Sequence, residues 1–242
     1  MTDSNHNFSP ELLPRHVAII PDGNRRFARE RDQEPWEGHE AGAEITEKII
    51  REARNMGIRE MSFWGSSMDN LTKRPLKEKQ ELLRIYEKYF EKLINEEDVH
   101  KDRTRIRFIG HWEEQFPESL KKILYRCLEE TKDYDQYFLN FFLAYGGTDD
   151  MLQAVRSVTK EGLTPDKITR EVLKRHLMTA ELSPVDLLIR TGGDPHNSDG
   201  FMMWETAYSQ LAFPDMYYPD FGPEAFREVI AKYIERERRF GK

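Results

Sequence analysis

The sequence predicts a single-domain α/β protein with a central, mostly parallel β-sheet flanked by helices, and three observations predict it. Short β-rich runs recur at 16–20, 60–65, 105–109, 137–143 and 185–190, each of strand length and bounded by turn residues. Longer stretches with helical spacing lie between them, the alternation that builds a parallel sheet covered on both faces. At 242 residues and 38% hydrophobic content, the chain can bury one sizeable core and has little room for a second.

Taken in order, residues 1–14 are polar and read as a flexible segment ahead of a domain covering 15–242. HVAII at 16–20 is the first strand. Ile45, Ile49, Ala53 and Met56 then share one helical face, which Gly57 closes. After the strand at 60–65, Pro75 opens a helix whose apolar face holds Leu82, Leu83, Tyr86, Tyr89, Phe90 and Leu93. Leu120, Ile123, Leu124, Cys127 and Leu128 form another such face, with Cys127 as a small core residue. The runs at 137–143 and 185–190 complete the strands, and no internal repeat or low-complexity linker interrupts them.

Charge and composition exclude several classes. Charged residues make up 33% of the chain and the net charge is −7, so no dominant basic field for nucleic acid exists and any basic site is local. One cysteine rules out an internal disulfide framework and a CxxC metal site. No apolar run approaches the ~20 residues of a membrane span, and the first ten residues lack a signal-peptide core; the expectation is a cytoplasmic protein. GxGxxG, GxxxxGK[ST] and HExxH are all absent. Asp149-Asp150 reads as the acidic first turn of a helix.

A parallel sheet places its ligands beyond the carboxyl ends of its strands, and the chemistry-bearing residues fall there. Asp22-Gly23-Asn24-Arg25-Arg26 follows the first strand at an expected helix start, where free backbone N–H groups and two arginines suit a phosphate. An aspartate among them suits Mg2+, which takes one or two carboxylates and completes its shell with phosphate and water oxygens; the bland alternative is a capped Asp-Gly turn. Arg190 closes the fifth strand ahead of a glycine turn leading to His196 and Ser198, and needs a structural carboxylate or an anionic ligand. Ser66, Ser67, Asn70, Lys73 and Arg74 form a polar loop that holds phosphate or is merely solvated. Tyr145-Gly146-Gly147 marks a turn or a close approach to a ligand.

These segments carry a resemblance to the cis-prenyltransferases, typified by undecaprenyl diphosphate synthases. It runs from HVAIIPDGNRRFA at His16 to RRFG ending at Gly241, through GHEAG at Gly38, KRP ending at Pro75, AYGG at Ala144, PVDLLIRTGGD at Pro184 and FMMWETAYSQLAFPDMYYPDF at Phe201. The resemblance implies a fold with a hydrophobic tunnel, a Mg2+-dependent transferase and a homodimer. The implied reaction joins an allylic isoprenoid diphosphate to a homoallylic one, isopentenyl diphosphate; a protein without a membrane span that handles such lipid takes it from a membrane surface or a carrier. Asp22 matches the metal and catalytic aspartate. Gly23, Asn24 and Arg26, with Arg25 beside them, match the allylic diphosphate loop, and His39 and Arg74 match its further contacts. Ser67 and Asn70 match polar groups near the reacting carbons. Arg190 and Ser198 match binders of the second diphosphate, which Arg239 and Gly241 reach across the dimer.

The chain departs from the pattern at four places. His196 stands where the family has arginine, Gln210 where it has a magnesium-site glutamate, Pro35 near a frequent arginine, and Thr148 after the tyrosine-glycine-glycine turn. The allylic half is intact and the isopentenyl half is diluted in charge. Two alternatives follow: a short-chain or non-head-to-tail synthase of the same fold, or a non-catalytic partner subunit. The tunnel is expected between the sheet and the helix at 82–94, with Trp64, Tyr86 and Phe90 as walls or simply as core.

Overall fold

The computed structural model describes residues 9–236. The chain runs through β1 His16–Ile20, α1 Asn24–Arg29, α2 Pro35–Met56, β2 Glu60–Trp64, α3 Met68–Lys73 and α4 Leu76–Asn95. There follow α5 Glu97–Lys101, β3 Thr104–Ile109, α6 Trp112–Gln115, α7 Glu118–Thr131, β4 Tyr137–Phe142 and α8 Gly147–Lys160. The described chain ends with α9 Arg170–Arg175, β5 Leu187–Arg190, β6 Gln210–Ala212 and α10 Pro223–Glu235.

All six strands are parallel and lie in the order β3-β4-β2-β1-β5-β6. Every residue of β1 is buried, as expected of a central strand covered on both faces. The order turns about β1, which has β2 on one side and β5 on the other. The connections after β1 and β5 therefore diverge and leave a crevice beyond their carboxyl ends, the usual ligand position in such sheets.

Local chemistry explains the helices that frame this crevice. α2 starts with Pro35 in its first turn and a reciprocal capping pair between Glu34 and Glu37, and it ends at Gly57, whose φ of 94° is the left-handed C-cap. Gly38 and Gly42 face α1, where a Cβ would lie 2.0 Å from the Asn24 carbonyl oxygen or 2.5 Å from its side-chain oxygen. The two glycines thus let α1 seat against α2. Near the amino terminus Leu13 is 6% exposed and packs within the core. A strand not expected from the sequence, β6, has only three residues and forms the sheet edge.

Candidate active site

Asp22 sits just past β1, and its neighbours come from β5. Thr191, fully buried, clamps its backbone, with Oγ1 accepting from the Asp22 N–H at 3.0 Å and donating to its carbonyl at 2.7 Å. Asp22 Oδ1 accepts from the Gly23 N–H at 2.6 Å and lies 3.3 Å from Arg26 Nη2. Oδ2 accepts from Arg190 Nη2 at 2.8 Å. One carboxylate therefore joins the two arginines from opposite sides of the crevice. α1 has six residues, too short for a large helix dipole, so the arginines rather than the helix end carry the positive charge.

The cleft at this point measures about 830 Å3, and Asp22, Gly23, Asn24, Arg25, Arg26, His39, Asn70, Arg74, Arg190 and Ser198 all line it. Ten of the residues singled out in the sequence thus line one cleft, whereas Tyr145, Gly146 and Gly147 do not. Arg26 also stacks over the Tyr217 ring, 5.3 Å from its centre. Arg74 Nη2 donates to Asn70 Oδ1 at 3.0 Å, so Asn70 orients that arginine. His39 Nε2 is 3.2 Å from Arg74 Nη1 and 3.4 Å from Glu78 Oε1. That nitrogen donates to Glu78 when it carries a proton and accepts from Arg74 when it does not. Burial pushes the imidazole below its ordinary range, Arg74 and Arg25 add to this, and Glu78 opposes it.

Arg190 is 5% exposed. Its Nη1 donates to the His196 carbonyl at 3.1 Å and its Nη2 approaches Asp194 at 3.3 Å, while its Nε is buried with no partner among the described residues. An unmet guanidinium donor at a cleft wall suits an incoming anion.

Three expectations change. The Ser67 hydroxyl accepts from the Asn70 N–H at 3.0 Å as the N-cap of α3, so it serves the helix, and Ser66 lines the cleft instead. The His196 side chain is exposed and turned to Asp194 at 3.0 Å, so only its backbone serves Arg190. Gln210 pairs with Leu187 at the amino-terminal end of β5 and contacts the Tyr233 carbonyl. It is therefore away from Asp22 in its own chain, because the register puts it three residues before Arg190. Arg239 and Gly241 lie outside the described residues. Two residues the sequence reading missed are Thr191, which sits inside the quoted TGGD turn, and Glu78, hidden in a charged run.

Behind the cleft, an apolar cavity of about 120 Å3 lies between α2, α4 and the sheet, with Trp64, Tyr86 and Phe90 in its walls. Pro21, Asn24, His39, Trp64 and Gly65 line both spaces. A ligand with a charged head and an apolar tail therefore finds both environments in continuity. The Tyr86 hydroxyl is buried, and burial pushes its pKa up to about 12, with Ser66 opposing the shift.

Known proteins resemble this chain in sequence and fold. The Prenyltransf family model, described as undecaprenyl diphosphate synthase, matches residues 20–241. The tritrans,polycis-undecaprenyl-diphosphate synthase (geranylgeranyl-diphosphate specific) of Thermococcus kodakarensis is 36% identical over 95% of this chain and 88% of its own. An isoprenyl transferase of Halalkalibacterium halodurans is 37% identical over 99% and 93%. The crystal structure of lavandulyl diphosphate synthase from Lavandula x intermedia, in complex with dimethylallyl diphosphate, superposes with a TM-score of 0.87 at 30% identity, covering 96% of this chain and 100% of that one. A family model spanning nearly the whole chain, with relatives aligned over its full fold, leads to one conclusion: this chain belongs to the undecaprenyl diphosphate synthase family of cis-prenyltransferases.

Proposed function

We propose that the protein condenses an allylic isoprenoid diphosphate with isopentenyl diphosphate, giving a cis-prenyl diphosphate and releasing inorganic diphosphate. The observation that carries this is the joining of a cation-walled cleft to an apolar cavity through five shared residues. Asn24, Arg25, Arg26, His39 and Arg74 hold the allylic diphosphate with its tail toward Trp64 and Tyr86, and Arg190 and Ser198 hold the second diphosphate. The allylic C–O bond breaks with its electron pair leaving on the diphosphate, the alkene of the second substrate forms the new C–C bond, and a proton is then lost. Fixed cations facing the leaving oxygens lower this barrier, and holding both substrates together supplies much of the rest.

The donor set fits Mg2+ only with a substrate present. Among the described residues no cluster of three or more His, Cys, Asp or Glu side chains could hold a metal, but Asp22 presents one carboxylate in the cleft. Asp22 would hold the ion with diphosphate and water oxygens completing its shell. Bound there, the ion would neutralise charge on the leaving diphosphate.

The edge strand β6 supports a homodimer, because Leu211 within it and Met216 beyond it are 44% and 40% exposed and line a surface cavity of about 550 Å3 that includes Gln210. Gln210 then belongs to the pairing face rather than to its own cleft. No helix among the described residues is long and apolar enough to cross a membrane; the location we propose is cytoplasmic, with lipid met at a surface.

A second reading is a short product or an allylic acceptor in place of isopentenyl diphosphate. The cavity of about 120 Å3 is below the ~300–1,000 Å3 of ordinary ligand pockets, and Asp22 and Asp194 both draw on Arg190. The test is incubation with Mg2+, labelled isopentenyl diphosphate and a panel of allylic primers, followed by sizing of products. Labelled prenyl diphosphates that disappear on chelation are expected; label in short products only, or coupling of two allylic diphosphates, selects the second reading. No product with any primer or acceptor overturns both.

A further inference from the structure

At the back of the cation wall lies Glu78, a carboxylate to which the proposed chemistry gives no role. It sits in the first turn of α4 and is 3% exposed. Its Oε1 lies 3.5 Å from Arg25 Nε, 3.4 Å from His39 Nε2 and 3.5 Å from Arg74 Nε. Three basic groups, from α1, from α2 and from the turn before α4, thus converge on one oxygen.

The geometry gathers these groups without saturating them. Each contact is longer than the ~2.7–2.9 Å of a closed charge-assisted hydrogen bond. Arg25 meets Glu78 through Nε, which leaves both terminal nitrogens for another acceptor. Arg74 turns Nε to Glu78 and Nη2 to Asn70, so its plane is fixed from two directions. Arg25 is 58% exposed and pairs with no other carboxylate among the described residues, so without Glu78 its long side chain regains its rotamer freedom. The hydrogen bond with His39, more than the nearby guanidinium charges, holds the Glu78 carboxyl below the usual range.

We propose that Glu78 is a positioning residue of the allylic diphosphate site: its buried carboxylate gathers Arg25, His39 and Arg74 into one preformed receptor for the leaving group. The inference rests on the prenyl-transfer reading above. It has a distinctive consequence, because the carboxylate is itself negative and stands behind the cations. Removing it raises the net positive charge facing the cleft, so binding of an anion is not weakened. What is lost is the preorganisation that counts when charge develops on the leaving oxygens. A residue that merely anchored the start of α4 would lower binding, turnover and stability together.

Glu78→Gln keeps the shape and removes the charge. Arg25→Lys keeps the charge and removes the Nε tether and the fork, and its exposure makes misfolding no concern. For each variant and for the double variant, kcat and KM are measured with an allylic diphosphate at saturating isopentenyl diphosphate and Mg2+. Calorimetry with inorganic diphosphate reports binding, and thermal unfolding reports the fold. Each single variant is expected to lose about 10-fold or more in kcat while the Kd for inorganic diphosphate stays within about 3-fold or tightens. The double variant is expected to lose less than the product of the two single effects, since both break one contact. The inference is overturned if Arg25→Lys retains wild-type kcat, if diphosphate binding weakens in step with kcat, or if the two losses multiply. A wild-type protein that makes no product fails the prenyl-transfer reading and this inference with it; a working wild type whose variants match it fails this inference alone.

Discussion

Asp22 meets Arg26 and Arg190 at once, which makes it the residue through which the two halves of the cleft communicate. Asp22→Asn keeps the shape and an acceptor for only one of the two arginines, which meet different oxygens, and removes the charge that a cation needs. Turnover should fall by ~10² to 10⁴-fold or more, with thermal unfolding little changed because the side chain is one-third exposed. Retained activity would remove Asp22 from the chemistry. Arg190 belongs to the second substrate, and a lost charge-assisted contact is worth ~1.5–3 kcal/mol. Arg190→Ala should therefore raise KM for isopentenyl diphosphate roughly 10- to 150-fold and leave KM for the allylic primer much less affected; equal increases would contradict the division of the cleft. Most of these side chains were legible in the sequence because glycine turns and charges clustered after strands. Ser67 misled because two adjacent serines look alike until the helix cap selects one. Glu78 was hidden because a glutamate in KEKQE looks like a solvated face, and only the fold reveals that His39 and Arg25 cover it.

The elements matter most where α1 meets α2. Gly38 touches the carbonyl of Asn24, and an added Cβ at 2.0 Å cannot be relieved by a side-chain rotation, because the obstacle is backbone. Gly38→Ala should cost about 1–3 kcal/mol, a fall in Tm of roughly 2–12 °C for a chain of this size. It should also push α1, with Asn24, Arg25 and Arg26, out of register with His39. The measurable outcome is a rise in KM for the allylic primer that exceeds any rise for isopentenyl diphosphate; unchanged kinetics and stability would mean that α1 is not held by this contact. The glycines in GHEAG were visible in the sequence, but their partner was not, since the contact joins residues 14 positions apart in two helices. The five longer strands were legible from their apolar runs. β6 was not, because Gln210–Ala212 is short, half-buried and lies at the sheet edge, where neither alternation nor a continuous apolar run develops.

Across the whole molecule, the net charge of −7 coexists with a local cation wall, and titration of buried histidines links the two to stability. His16 is fully buried at the amino-terminal end of the sheet, opposite the cleft, with Nε2 at 2.7 Å from Ser62 Oγ and Nδ1 at 2.9 Å from the Ser183 carbonyl. Asn140 extends this network by donating to Ser62 and Glu60, so it spans β1, β2 and β4. Burial lowers the His16 pKa despite the opposing carboxylates of Glu60, Asp186 and Glu205, and burial likewise lowers that of His39. With folded pKa values below the ordinary ~6.5, the unfolded chain binds more protons as pH falls through that value. Stability is therefore full above about pH 6.5 and is lost on acidification, by up to about 1.4 kcal/mol per pH unit for each histidine. Glu78, also lowered, acts in the same direction only at more acidic pH, while Asp150, raised by burial, opposes it above its ordinary ~3.9. Thermal unfolding between pH 7.5 and about 5.5 should show a Tm that declines with acidity. His16→Gln should lower Tm at pH 7.5 through the disturbed network yet give a shallower decline, because one of the two titrating groups is gone. A Tm independent of pH in the wild type, or an equal slope in the variant, would show that burial of His16 is not what couples protonation to folding.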